Sequence, residues 1–406
     1  MTGPPLRETI YLPPDDIIRA WAARGTLMTT TAWSEMMHGE HAGGFTVAKV
    51  AKLELLRIIR VSLDEVIRNG GTLEQWQADL IPNLQKHGWW GVVTDPEITG
   101  TSEPVVINKR RLQTIYRTNV RMSFAAGEWR KIQSKKHLLP YLRYKSDHYR
   151  KHPRLNHQSW HGLILPVDDP TWQWLYPPNG WGCNCLVQQL SETNIKMNGW
   201  TVGTAPKPPL GAFVTATGET VMVPEGISPG FSYNPGTAHL QVIAEKAGSA
   251  IATALQKGLI TPARALLRDI IDDPAFEQFL ALPDGLFPVG ILDEAQAAAI
   301  GAKQQLIMFK PSLKIKQDKS HADLDISDYR LLPNLIANAD HVIVQDDITI
   351  VYITDRDEGT GKIWKAVIRN DKQDKFPLLM SYQRADLREL RREQARAKSI
   401  IAQPGQ

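Results

Sequence analysis

From Thr46 onward the apolar residues of this chain fall at three- and four-residue steps: Val47, Val50, Ala51, Leu55, Ile58, Ile59, Leu63, Val66 and Ile67. A helix turns once in about 3.6 residues, so this spacing gathers them into one stripe that another element must cover. Thr46 is a suitable N-cap and Gly70-Gly71 a suitable stop. Thr72-Leu-Glu-Gln75 has capping-box spacing and opens a second helix to about Gln85. A third is predicted from about Asn108 to Gln133, with Leu112, Ile115, Tyr116, Val120 and Phe124 on its inner face. The first half of the chain is therefore expected to be helix packed on helix.

With 406 residues the chain is too long for one ordinary core. Residues 1–44 read as an arm with a short helical patch around Ile17 to Ala23. Residues 138–190 are rich in Trp, Pro and His and lack periodicity, which predicts short strands and loops. Residues 201–236 hold six Pro and six Gly, a connector composition. Within it Phe213–Val223 alternates about a Gly, as a hairpin does. Residues 237–280 read as helix. The remainder mixes a helix, strands at His341–Gln345, Ile348–Ile353 and Trp364–Arg369, and a charged last helix. The division expected is 1–44, 45–200, 201–285 and 286–406, and the fold class α+β: a mainly helical N-terminal domain with a small mixed sheet, then a compact α+β domain. No apolar run approaches the ~18 residues of a membrane span, and the N-terminus lacks signal-peptide character. The chain is expected to stay in the cytoplasm where it is made, with no membrane partner.

The only cysteines, Cys183 and Cys185, are separated by one residue. A bridge across Cys-x-Cys is strained, so thiols are expected. Zinc takes four nitrogen or sulfur ligands in a tetrahedron, and His157 and His161 with the two cysteines make a candidate set. The alternative is a pair of buried thiols beside a hydrogen-bonded structural histidine.

Charge is unevenly placed. Between Lys109 and Arg154 stand fourteen Lys or Arg against two acids, Glu128 and Asp147. Lys109, Arg110, Arg111, Arg117, Arg121, Arg130, Lys131, Lys135 and Lys136 are candidates for contact with DNA phosphates or an acidic protein partner; a solvated helix face is the third reading.

Several stretches resemble the phage Mu F-like head morphogenesis proteins: Phe45–Leu53 with Lys86-His-Gly-Trp-Trp-Gly91; Thr114–Asn119 with Ala125-Ala-Gly127; and His157…His161-Gly162 leading to Tyr176-Pro-Pro-Asn-Gly-Trp-Gly-Cys-Asn-Cys185. Gly230-Phe-Ser-Tyr-Asn-Pro-Gly236 closes the series. The resemblance implies a minor head protein, in few copies, bound to the portal protein and other head proteins, and acting in head assembly or on the packaged DNA. Its location would be the virion, at the capsid interior or portal vertex, after assembly in the host cytoplasm. Asn184 stands where the family usually has Arg, and the Asp expected just before the first His is represented only by Asp147.

Residues 313–398 resemble a second group, the barnase–EndoU–colicin D–RelE-like nucleases of phage head proteins, through Lys319-Ser-His321, Ser327–Ile336, Ala339–Ile343 and Ser381-Tyr-Gln-Arg384. Metal-independent RNA cleavage needs an acid–base group and cations for the charged phosphorane. His321 is the candidate acid or base, Lys319, Lys365 and Arg384 the cations, and Ser381 an orienting group, with RNA as the substrate. The rival reading makes His321 a surface residue and Ser381 a cap for the last helix.

Overall fold

The computed structural model describes all residues except 1–8, 11–14, 147–153, 282, 284, 321–323, 355–362, 372 and 403–406. Two compact units, Met1–Val242 and Ile243–Gln406, divide the chain. The boundary falls inside the segment expected as a connector.

The N-terminal unit is built on α1 (Asp15–Ala23), α2 (Leu53–Asn69), α3 (Leu73–Lys86) and α4 (Lys109–Lys135). Their apolar stripes meet in one core containing Trp21, Leu56, Ile59, Leu63, Trp76, Leu84, Trp89 and Leu112. Thr72 caps α3 by accepting from the Gln75 amide, and Asn108 caps α4 by accepting from that of Arg111. Thr46 caps nothing. The helix starts seven residues later, because Thr46 is tied to Thr30 through their hydroxyls at 2.7 Å and Val50 forms a β-bridge with Thr30. Val47 and Val50 are buried all the same, so an extended segment satisfied a helical pattern by placing its valines inward. The N-terminal lead-in is part of this core, since α1 buries Ile17, Ala20 and Trp21. It approaches α4 closely because Gly127 has no Cβ; one added there would lie 2.8 Å from the Ile17 amide nitrogen.

After α4 come β1 (Tyr141–Lys145), the short α5 (Leu155–Ser159), β2 (Ile164–Pro166) and β3 (Leu186–Leu190). They form a three-stranded sheet in the order β2-β1-β3. Both pairings are antiparallel, not mixed, because the chain reverses between β1 and each neighbour. The expected hairpin is present as β4 (Leu210–Val214) and β5 (Thr220–Pro224), with Gly218 at φ 85° in its turn. Helix α6 (Pro235–Gln256) follows. Its first residues fit only because position 236 is Gly, whose missing Cβ would stand 2.0 Å from the Trp129 Cβ.

The C-terminal unit contains α7 (Ile260–Asp272), α8 (Pro274–Ala281), β6 (Phe287–Ile291), β7 (Leu306–Phe309), α9 (Pro311–Ser320), α10 (Leu332–Asn338), β8 (His341–Asp346), β9 (Thr349–Ile353), β10 (Ile363–Arg369), β11 (Leu378–Ala385), α11 (Leu387–Ala395) and β12 (Ser399–Ala402). The strands make one seven-stranded sheet, β6-β7-β11-β10-β9-β8-β12. Leu390 of α11 packs on one face with Ile343, Val351 and Ile353. The opposite face carries Trp364 stacked on Tyr382 at 5.2 Å. Helix and sheet segregate as an α+β fold. Among the described residues no helix is long and apolar enough to cross a membrane.

Candidate metal centre

His157 sits on α5, while Cys183 and Cys185 lie on the loop that enters β3. All three are buried, and their ligand atoms lie within 4.8 Å of one another. The loop is shaped by its neighbours. Asn179, fully buried, donates to the Leu175 carbonyl at 2.9 Å and accepts from the Tyr144 hydroxyl at 2.9 Å. Gly182 takes φ 62°, which a side chain would resist. Arg121, on α4, donates to the Cys183 carbonyl at 2.6 Å, and Arg154 to that of Trp181 at 2.9 Å. The curl turns both thiols to one side, which an extended Cys-x-Cys does not do.

The histidine is oriented by its other nitrogen. His157 Nε2 stands 2.9 Å from the Gly226 carbonyl oxygen. A carbonyl only accepts, so Nε2 carries the proton and Nδ1 offers its lone pair to the sulfurs. Nδ1 is 3.7 Å from Cys183 Sγ and 3.4 Å from Cys185 Sγ. In a tetrahedral zinc site with Zn–S ~2.3 Å and Zn–N ~2.1 Å, the sulfur–nitrogen separation is about 3.6 Å. The observed spacings bracket that value. The two thiols share a proton: the hydrogen bond from Cys185 lowers the Cys183 pKa to about 6, and donating that bond raises that of Cys185 to about 12. A buried negative charge beside an imidazole lone pair is the donor set of a soft divalent cation.

His161 is not brought to these three. It lies past the end of α5, and its Nδ1 accepts from the Ser146 amide at 3.2 Å. Among the described residues the cluster offers three protein ligands. Asp147 falls outside them.

The basic residues of α4 do not form one free face. Arg111 donates to the Ala48 carbonyl and lies over Trp89, Arg121 holds the Cys183 loop, and Arg130 pairs with Asp16 at 3.0 Å. Lys131 lies 3.9 Å from Glu128, and Lys136 pairs with Asp168 at 3.0 Å. Arg117 is half-buried and also engaged. Lys109, Arg110 and Lys135 are the exposed members.

In the C-terminal unit His321 and the side chain of Lys319 lie outside the described residues. Lys365 is buried and held by Glu389 at 2.8 Å and Glu393 at 2.7 Å, so its charge is already neutralised. Ser381 is mid-strand in β11 and caps nothing; Asp386 caps α11. Cross-strand register puts Lys365 opposite Gln383 and Trp364 opposite Arg384. Alternation then places Lys365 and Ser381 on the α11 face and Arg384 on the other, where it pairs with Asp328 at 3.3 Å. Of the described members, Lys365 and Ser381 thus share one face and Arg384 stands on the other.

Sequence signals for several contributors were weak. The Gly226 carbonyl and Asn179 act through backbone and packing, so only their place within or beside the Pro/Gly-rich motifs marked them.

Residues 57–188 match the family described as Phage Mu protein F like protein, a span that contains His157, Cys183 and Cys185. "Putative capsid assembly protein F" of Escherichia phage Mu is 33% identical over 248 residues, covering 56% of this chain and 55% of that protein. The Mu-like prophage FluMu F protein of Haemophilus influenzae is 36% identical over 176 residues, covering 43% of this chain and 42% of that protein. Over residues 57–188 the N-terminal unit is thus similar to the phage Mu F-like proteins. The chain spans about half the length of the curated relatives it matches. No solved structure matches it.

Proposed function

We propose that this chain is a minor head protein that acts in assembly of a tailed-phage head at the portal vertex, and that zinc bound by His157, Cys183 and Cys185 holds its N-terminal unit in shape. The observation that carries the assembly role is the Mu F-like segment at residues 57–188, shared with a relative named as a capsid assembly protein. The zinc assignment rests on the tetrahedral sulfur–nitrogen spacing and on the Gly226 carbonyl that fixes the His157 tautomer. The site reads as structural, because its ligands are buried and tie α5 to the loop entering β3. Lys109, Arg110 and Lys135 offer the exposed charge for an acidic surface of the portal protein or another head protein, or for packaged DNA.

The test is deletion of residues 57–188 from the encoding phage or prophage. The proposal expects incomplete or DNA-free heads after induction, restored by the full chain in trans. A normal yield of filled, infectious heads would refute it.

A further inference from the structure

The N-terminal unit contains a cleft of about 390 Å³ between the end of α1, the inner side of α4, and residues 41–48 and 230–239. Its walls include Trp33, Trp181, Phe231, Ile115 and Met122, and among the described residues no Asp or Glu lines it. Two guanidinium groups do. Arg24 is only 8% exposed, and its Nε and Nη1 meet no acceptor among the described residues. Arg111 gives one N–H to the Ala48 carbonyl, while its Nε meets none.

A buried cation without an anion is costly, since water is removed and nothing of opposite sign replaces it. Arg24 remains charged near neutrality all the same: burial lowers its pKa, but only to about 10. Among the described residues no carboxylate pairs with it. Trp21 lies under both Arg24 and Arg60, so the adjacent side chain is aromatic and the next one is another cation. His41, beside the cleft, is kept neutral, its pKa lowered to about 4 by burial and by Arg24. The Tyr233 hydroxyl is likewise held protonated by burial. The lining therefore presents positive charge inside apolar walls, with N–H groups in a fork that matches a carboxylate.

We propose that this cleft binds the carboxyl terminus of a protein chain ending in apolar residues, with the terminal carboxylate on Arg24 and the apolar side chains against Trp33, Trp181 and Phe231. A peptide end fits better than a fatty acid, because Thr46, Thr114 and Thr118 also line the cleft and can pair with peptide amides. The volume suits two or three side chains. The site is independent of the thiol–imidazole cluster and does not rest on it.

The test is calorimetric titration of the full chain with a pool of N-acetyl tetrapeptides ending in Leu, Ile, Phe or Trp, as free acids and as C-terminal amides, with decanoate in a separate arm. The expected result is saturable binding of the acids, at least tenfold weaker for the amides. Arg24→Met is expected to abolish acid binding while leaving the melting temperature unchanged or higher, since it removes an unpaired buried charge. A folded Arg24→Met variant that binds the acids as tightly as the wild type would overturn the proposal. So would equal binding of acids and amides, binding of decanoate alone, or no binding of any acid. The wild-type comparison of acid with amide stands even if the variant fails to fold.

Discussion

If zinc binds the His157–Cys183–Cys185 cluster as proposed, removing it should loosen the N-terminal unit by an amount set by the loops it would close. His157 is 26 residues from Cys183 and 28 from Cys185, so one ion would tie together segments that are otherwise free in the unfolded chain. Treated as a cross-link, a loop of that length restricts the unfolded chain by roughly 3.5 kcal/mol. For a unit of this size, about 2–4 °C of melting temperature goes with each kcal/mol, so the shift should be roughly 7–14 °C. The assay is scanning calorimetry of the full chain, zinc-loaded and after chelation, with Cys183→Ser/Cys185→Ser marking the N-terminal transition. That variant should melt like the chelated protein and ignore added zinc. If loaded and chelated proteins melt within about 2 °C of each other, the cross-link reasoning fails.

Other outcomes follow from particular contacts. Lys365→Met leaves buried Glu393 and half-buried Glu389 with only the exposed Arg392 as a cation and should cost the C-terminal unit up to about 3 kcal/mol. Hydrogen exchange should then quicken in β10 and α11, and Glu389→Gln with Glu393→Gln should restore protection; unchanged exchange would show that the ion triad contributes little. Gly236→Ala drives a methyl into Trp129 and should destabilise the N-terminal unit by about 1–3 kcal/mol or more, read by urea denaturation. Gly211→Ala, whose nearest contact is 3.9 Å away, is the control. His41 has a folded pKa of about 4 against an ordinary 6.5, so the unfolded chain takes up its proton first. Its contribution is complete above pH 6.5 and is lost as pH falls toward 4, by up to about 3 kcal/mol. His41→Gln should flatten that part of the stability profile, whereas an identical profile would remove His41 as its source.

Much of the helical half was legible because its physics is local. The α3 cap at Thr72, the α4 cap at Asn108 and the apolar stripes of both helices follow from spacing alone. The start of α2 was not legible, because inward valines on an extended segment imitate one helical turn; only the bridge from Val50 to Thr30 distinguishes them. At the candidate site, Cys183, Cys185 and His157 could be named from residue type, but His161 could not be excluded. An i, i+4 spacing brings two histidines together only if the helix reaches both, and α5 ends at Ser159. Lys365 shows a second limit. A lysine in a strand looks available until the partner helix is placed, and here α11 supplies two carboxylates. Arg24 is the opposite case: an ordinary residue after a short helix, whose meaning appears only once burial leaves it without a counter-ion among the described residues.

The most direct test of the head-assembly account is quantitative mass spectrometry of purified filled heads from the phage or prophage that encodes this chain. The account predicts that the chain is present at a few copies per particle and crosslinks to the portal protein. Particles that are complete and infectious yet contain none of it would contradict the account.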